Sequence, residues 1–217
     1  MRSRFDEQLE LLKKEMISMG MLCETSIASV VDALLNQDKK KLREVFELLE
    51  LISAKDREVE NICFRLLLQQ QPVAKDLRTV SSALKMVTDM ERIGVQSADI
   101  ADIVSTGVIS KVEEDIPMRE IAESTIDMVT KSIDAFVYQD SELAEAVIES
   151  DNIVDDYFSQ IKTNLIKYLV NPVADGERIL DLLMIAKYFE RIGDHAVNIA
   201  EWVIFSITGK NERINSI

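Results

Sequence analysis

The sequence predicts an all-α protein made of two tandem, pseudo-symmetric three-helix bundles. Three observations carry this. Apolar residues recur in steps of three and four through six long stretches, the spacing that gathers them on one side of a helix. Only six glycines and three prolines occur in 217 residues, and Leu, Ile, Val, Ala, Glu, Lys and Met, all common in helical proteins, dominate the rest. The chain also repeats itself. Glu91-Arg92-Ile93-Gly94 returns as Glu190-Arg191-Ile192-Gly193, and an Ile-Ala pair follows each copy, at Ile100-Ala101 and Ile199-Ala200.

The first helix is expected over 4–36, with Phe5, Leu9, Leu12, Met16, Met19, Cys23, Ser26, Val30 and Ala33 on one seam. Gly20 weakens its middle without breaking it. Asn36-Gln37-Asp38 ends it, and Asp38 is placed to cap the next helix. That second helix, from about 39 to 70, has the seam Leu49, Ile52, Asp56, Val59, Cys63, Leu66 and Gln70, and Pro72 stops it. The third, over about 74–106, has the seam Leu77, Val80, Leu84, Val87, Glu91, Gly94, Ala98 and Ala101, with Gly107 as its C-terminal cap.

Residues 107–117 form the one linker, marked by Gly107, Glu113-Glu114-Asp115 and Pro117. The pattern then repeats. A fourth helix spans 117–138, with Met118, Ile121, Thr125, Met128, Ser132 and Ala135 on one line. A fifth spans 141–170, capped by Asp140 or Ser141, with the seam Ala144, Val147, Asp151, Val154, Phe158, Ile161, Leu165 and Tyr168. Asn171-Pro172-Val173-Ala174 echoes Gln71-Pro72-Val73-Ala74. A sixth helix spans about 175–207, with Ile179, Leu183, Ala186, Glu190, Gly193, Val197, Ala200 and Ile204, and Thr208-Gly209 ends it as Thr106-Gly107 ends the third. The expected units are 1–107 and 108–217, each a bundle whose short connections make consecutive helices antiparallel.

Composition narrows the function. A net charge of -14 opposes binding to phosphate backbones and anionic lipid, so no nucleic-acid partner is expected. Cys23 and Cys63 lie far apart, which suits a reducing compartment. The N-terminus lacks an apolar run after its basic residues, and no uninterrupted apolar segment reaches the ~18 residues of a membrane span. A cytoplasmic protein is expected, meeting membrane only through partners. There is no Gly-rich phosphate loop, no Glu-x-x-His pair and no evident nucleophile–histidine partnership, so no catalytic residue is named and no enzyme is expected.

What remains is a pattern of acids at core-facing positions. Each half puts one carboxylate in the seam of its middle helix and one in the seam of its last. These are Asp56 and Glu91, then Asp151 and Glu190. Distances from the proline turns place each pair at similar height across its hairpin. A second acid one turn on accompanies most of them: Glu60 after Asp56, Asp155 after Asp151, Asp194 after Glu190. Glu91 is the exception, with Val95 at that place. Asp99 lies two turns beyond Glu91, and Asp156 beside Asp155. Like charges this close raise one another's pKa and require a counter-charge. Arg92, Arg191 or lysines on the first and fourth helices are one choice. A cation is the other, and two sites built alike favour it. Oxygen donors suit Mg²⁺, Ca²⁺, Mn²⁺ or iron; His195, beside Asp194 and the only histidine, admits zinc or iron, as ligand or as support. Gly94 and Gly193 suit close helix approach, and the two cysteines read as plain core.

These residues resemble a known family. The paired Glu-Arg-Ile-Gly helices, the stretch Gln71-Pro72-Val73-Ala74-Lys75-Asp76-Leu77-Arg78 and the run Ile185 to Ala196 are similar to PhoU proteins over nearly the whole chain. The resemblance implies two pseudo-symmetric three-helix bundles, usually dimeric, and multinuclear iron or zinc held by acid-x-x-x-Asp motifs. It further implies a negative regulator of phosphate uptake and of the phosphate-starvation response. Such a protein contacts the ATPase subunit of the phosphate ABC transporter and, in many bacteria, a sensor histidine kinase. Glu190 to Asp194 matches the motif, Asp56 to Glu60 and Asp151 to Asp155 are similar acid pairs, and Glu91 to Val95 departs from it. A helical adaptor whose acids are only salt-bridged, and a helical-bundle metalloenzyme, are the alternative readings.

Overall fold

A computed structural model describes residues 2–69, 73–109, 111–170 and 175–210. The chain folds into six helices: α1 (Arg2–Asn36), α2 (Lys39–Gln69), α3 (Ala74–Ser105), α4 (Met118–Tyr138), α5 (Ser141–Leu169) and α6 (Gly176–Thr208). No strand occurs among the described residues. The proline turns at Pro72 and Pro172, and Gln70 at the end of the second seam, lie outside them.

The seams identify the core well. Leu12, Met16, Met19, Cys23, Val30 and Ala33 of α1 are fully buried, as are Val80 and Val87 of α3 and Val147, Val154 and Ile161 of α5. Burial of these side chains, at about 25 cal/mol per Å² of apolar surface, is what holds the helices together. Leu77 departs from its seam: it is 47% exposed at the start of α3, one turn before that helix meets its neighbours fully. By length and composition α1 could cross a membrane, but its apolar face is spent inside the bundle.

α1, α2 and α3 pack on one another, and α4, α5 and α6 do likewise. Two pairings join the halves, α3 on α6 and α1 on α4, while α2 and α5 flank the outside. Named contacts fix the direction. Arg78 lies against Gly209, Asp89 against His195 and Asn198, and Asp99 feels Arg191, so α3 and α6 run antiparallel with Gly94 and Gly193 at matching heights. At the α1–α4 crossing, a Cβ on Gly20 would lie 2.4 Å from Cδ1 of Ile133. Gly20 is thus a close-approach point, not merely a weak one. Gly94 serves the same end between α3 and α2, where a Cβ would meet Ile52 Cδ1 at 2.9 Å. Gly193 is looser, with Val154 and Asp151 at 3.5 and 3.6 Å.

Both halves turn their first corner alike. Gln37 and Gln139 adopt left-handed backbone, with φ of 57° and 54°, and each amide donates back to a carbonyl of the last turn, Leu34 or Phe136. The aspartate that follows caps the next helix: Asp38 accepts from Lys40 N at 2.9 Å, and Asp140 from Leu143 N at 3.0 Å. Between Asp140 and Ser141, the aspartate is the cap. Asp140→Ala is expected to cost about 1 kcal/mol, read as a lower urea midpoint at unchanged slope. The linker is fastened to the second half. Arg178 donates to Lys111 O at 2.7 Å and pairs with Glu113, and Tyr168 donates to Asp115 at 2.7 Å.

Candidate metal centre

The α2–α3 and α5–α6 hairpins each bring acids together. In the first half Asp56 feels Glu91 and Glu60; in the second Asp151 feels Asp155, Asp194 and Glu190. Partial burial is the largest cause of the perturbation, followed by these neighbours, and together they push Asp56 and Asp151 up to about 6. Arg57 works the other way on Asp56. The seam positions of these acids are not core positions, however. Asp56, Glu91, Asp151 and Glu190 are half-buried, and Asp155 and Asp194 are exposed. The physical reason is desolvation: a carboxylate deep in the seam would cost several kcal/mol, whereas at the groove rim it keeps part of its water.

The clusters differ. Glu91 Oε1 accepts from Ser53 Oγ at 3.0 Å. In the second cluster Asp151 Oδ1 and Glu190 Oε2 are buried without a hydrogen-bond partner. Lys187 Nζ forms an ion pair with that same Glu190 Oε2, but not in hydrogen-bond geometry, and it also lies 5.5 Å from the centre of the Phe158 ring. This counter-charge, one turn back on the same helix, is one that sequence reading missed; the i,i+3 spacing of Lys187 and Glu190 was its signal. Arg92 and Arg191 do not fill the role. Both are exposed, and Arg191 acts on Asp99 across the α3–α6 seam.

Three of the sequence-predicted residues lie apart from the clusters. Asp99 does not join Glu91: eight residues further along α3 it faces α6, and the charges acting on it are Asp102 and Arg191. Asp156 lines a shallow outer surface of α5 with Ile153, Tyr157 and Gln160. His195 reaches across the seam, its Nδ1 2.8 Å from Asp89 Oδ1, and Asn198 Nδ2 donates to the same oxygen at 3.2 Å. A carboxylate accepts, so Nδ1 is the donor of this bond. Asp89 went unnoticed in the sequence because its partner is 106 positions away.

As they stand, no three His, Cys, Asp or Glu side chains among the described residues are arranged to hold a metal ion. The donor chemistry nonetheless fits a hard cation at the second cluster, where Asp151 Oδ1 and Glu190 Oε2 lack hydrogen-bond partners and Asp155 and Asp194 stand beside them. The first cluster offers three acids, one already bonded to Ser53. The cysteines take no part. Both are buried; Cys23 Sγ donates to Met90 O at 3.4 Å, and burial raises its thiol pKa far out of range, while Cys63 is pushed up to about 12. Both are expected to resist thiol reagents in the folded chain and to react at once on unfolding in urea, as a colorimetric thiol titration would show.

Comparison with known proteins agrees with this architecture. The family model described as the PhoU domain matches residues 16–104 and again 118–203, once in each half. The phosphate-specific transport system accessory protein PhoU homolog of Pseudomonas aeruginosa is 33% identical over 216 residues, covering 97% of this chain and 88% of the relative. The corresponding homolog of Clostridium acetobutylicum is 32% identical over 218 residues, covering 99% of each. The crystal structure of PhoU from Pseudomonas aeruginosa superposes with a TM-score of 0.89 at 31% identity, over 95% of this chain and 100% of that one. That of the phosphate transport system regulatory protein PhoU from Streptococcus pneumoniae, at 24% identity and a TM-score of 0.87, shares the fold. With both halves matched by the family model and relatives similar along nearly its full length, the chain belongs to the PhoU family.

Proposed function

We propose that this protein is an accessory protein of a phosphate-specific transport system and works as a non-enzymatic, metal-binding negative regulator. It restrains phosphate uptake and phosphate-starvation signalling by contacting the transporter's ATPase subunit and, where one is present, a sensor histidine kinase. Its place is the cytoplasm, as a homodimer that meets the membrane only through its partners. The names of the relatives support the transport role. The observation that carries the metal reading is the buried Asp151 Oδ1, without a hydrogen-bond partner inside a four-acid cluster that has Lys187 as its ion-pair partner at Glu190.

Asp151, Asp155, Glu190 and Asp194 would hold iron or zinc in the second half; Asp56, Glu60 and Glu91 would hold it more weakly in the first. When bound, the cation supplies the positive charge that cancels the acids' mutual repulsion. The residues do the rest. Asp151 and Asp155 stand on α5 and Glu190 and Asp194 on α6, so satisfying them together ties the two helices. His195 keeps its ring oriented through Asp89. The adaptor reading has one observation in its favour, the Lys187–Glu190 ion pair, which neutralises one acid without metal.

The regulatory role is tested by deleting the gene. Phosphate uptake and phosphate-responsive expression should then stay high in ample phosphate, and tagged protein should co-purify with the transporter ATPase. Unchanged phosphate control in the deletion strain would count against the role.

A further inference from the structure

At the end of the first half away from the α2–α3 connection, a cleft of about 420 Å³ opens between the end of α1, the start of α2 and the end of α3. That volume falls within the ~300–1,000 Å³ typical of small-molecule sites. Half-buried Leu42 gives it apolar surface over the buried Ala33 and Val104, Phe46 presents an aromatic ring that is 37% exposed, and Lys39 and Arg43 line it as well.

The charge is out of keeping with the rest of the molecule. The chain carries -14 overall, yet α2 opens Lys39-Lys40-Lys41-Leu42-Arg43. Cations at a helix N-terminus oppose the macrodipole. The helices α3, α4, α5 and α6 each carry an acid in the first turn, whereas α1 and α2 carry none, and of those two only α2 opens on this cleft. Lys41 is paired with Glu44, whereas Lys39 and Arg43 have no ion-pair or hydrogen-bond partner among the described residues. Nothing in the fold requires this cost. The matching corner of the second half, which shares the Gln-Asp turn, opens Ser141-Glu142-Leu143-Ala144-Glu145 instead. The helix end itself is not what binds, since Asp38 already accepts from Lys40 N there. The free side chains are.

We infer that this cleft is a binding site for a small organic phosphate with a flat ring, of the nucleoside-phosphate class. Phe46 and the apolar wall take the base, and Lys39 and Arg43 take the phosphates. Two features of the cleft argue for both parts of the ligand. A bare anion would leave Phe46 and Leu42 in water, and an apolar ligand would leave both cations uncompensated. The site is independent of the acid clusters.

The test is calorimetric titration of the full-length protein with ADP, with adenosine and pyrophosphate as the separated halves of the probe. ADP is expected to bind saturably, and more tightly than either half. Arg43→Glu and Phe46→Ala should each weaken it about tenfold or more. Lys85→Glu, roughly 28 Å along α3 from Val104, should leave it unchanged. These are changes to exposed or rim side chains, and unaltered circular dichroism would verify that the variants fold. Absence of saturable ADP binding at millimolar concentration overturns the proposal. So does equal weakening by Lys85→Glu, which would mean diffuse electrostatics, or pyrophosphate binding as tightly as ADP, which would mean an anion patch without a ring site.

Discussion

Replacing Glu190 and Asp194 together by alanine is expected to strip the protein of its metal. Protein purified without chelator should contain at least about one iron or zinc per two chains, the level a structural or regulatory site of useful affinity retains; the double variant should fall to background. The effect on stability should be large. A cation present at a thousandfold excess over its dissociation constant adds about 4 kcal/mol to the folded state. For a chain of this size that is roughly 8–16 °C in melting temperature. The wild type should lose this increment on chelation, and the variant should have none to lose. Substituting Glu91 should have a smaller effect, because the first cluster has three acids and Ser53 already satisfies one glutamate oxygen. Metal-free protein at purification, with chelator-insensitive melting, would leave the adaptor reading standing.

The metal-free chain should become less stable as pH rises from about 4 to about 6. The sign follows from the two central acids. Asp56 and Asp151 are raised in the folded state to about 6, above the ordinary aspartate value of 3.8. Between those values the folded chain holds protons that the unfolded chain has released. The stabilising contribution is therefore complete below the unfolded value and lost as pH climbs through the folded one. With solvent screening allowed for, each group contributes about 1 kcal/mol. Asp56→Asn with Asp151→Asn should remove the decline and leave the chelated protein more stable at pH 7.5 than the wild type. Metal affinity should run the other way, falling as pH drops through 6, because protons then compete for the same oxygens. Urea midpoints across pH for chelated wild type and double variant decide the matter; identical slopes would mean the two acids are not strained as described.

The helices were legible because each has to bury a continuous apolar line, and a line with period near 3.5 survives in one dimension. Phe5, Leu12, Met16, Met19 and Cys23 could be picked out by counting, and all are buried. The acids within each hairpin were legible for a related reason: a proline in the sequence marks where one helix must stop, so Asp151 and Glu190 can be matched by their distance from it. Relations across the α3–α6 seam were not legible. Nothing local tells Asp89 that its partner is His195, or sends Asp99 to Arg191 instead of Glu91. Those pairings depend on how the halves are laid against each other, which repetition alone leaves open. Burial depth was misjudged for the same kind of reason. A heptad assigns a face, but only the third helix of the groove decides whether a position on that face is sealed or lies at the rim.

The antiparallel packing of α3 and α6, with Gly94 and Gly193 at matching heights, has a mechanical consequence. Glu91 and Glu190 lie within a turn of those glycines, near the middles of the two helices, where the lever arms are shortest. α3 is 32 residues long, so each end stands about 24 Å from its middle. A rotation of about 5° between the two helices, small enough at their middles to be absorbed by side-chain shifts, would carry the ends through about 2 Å. Because the helices run in opposite directions, any such turn moves one tip of each half at both extremities of the molecule. A displacement too small to notice in the middle of the molecule is thus largest at its ends, and at two places at once.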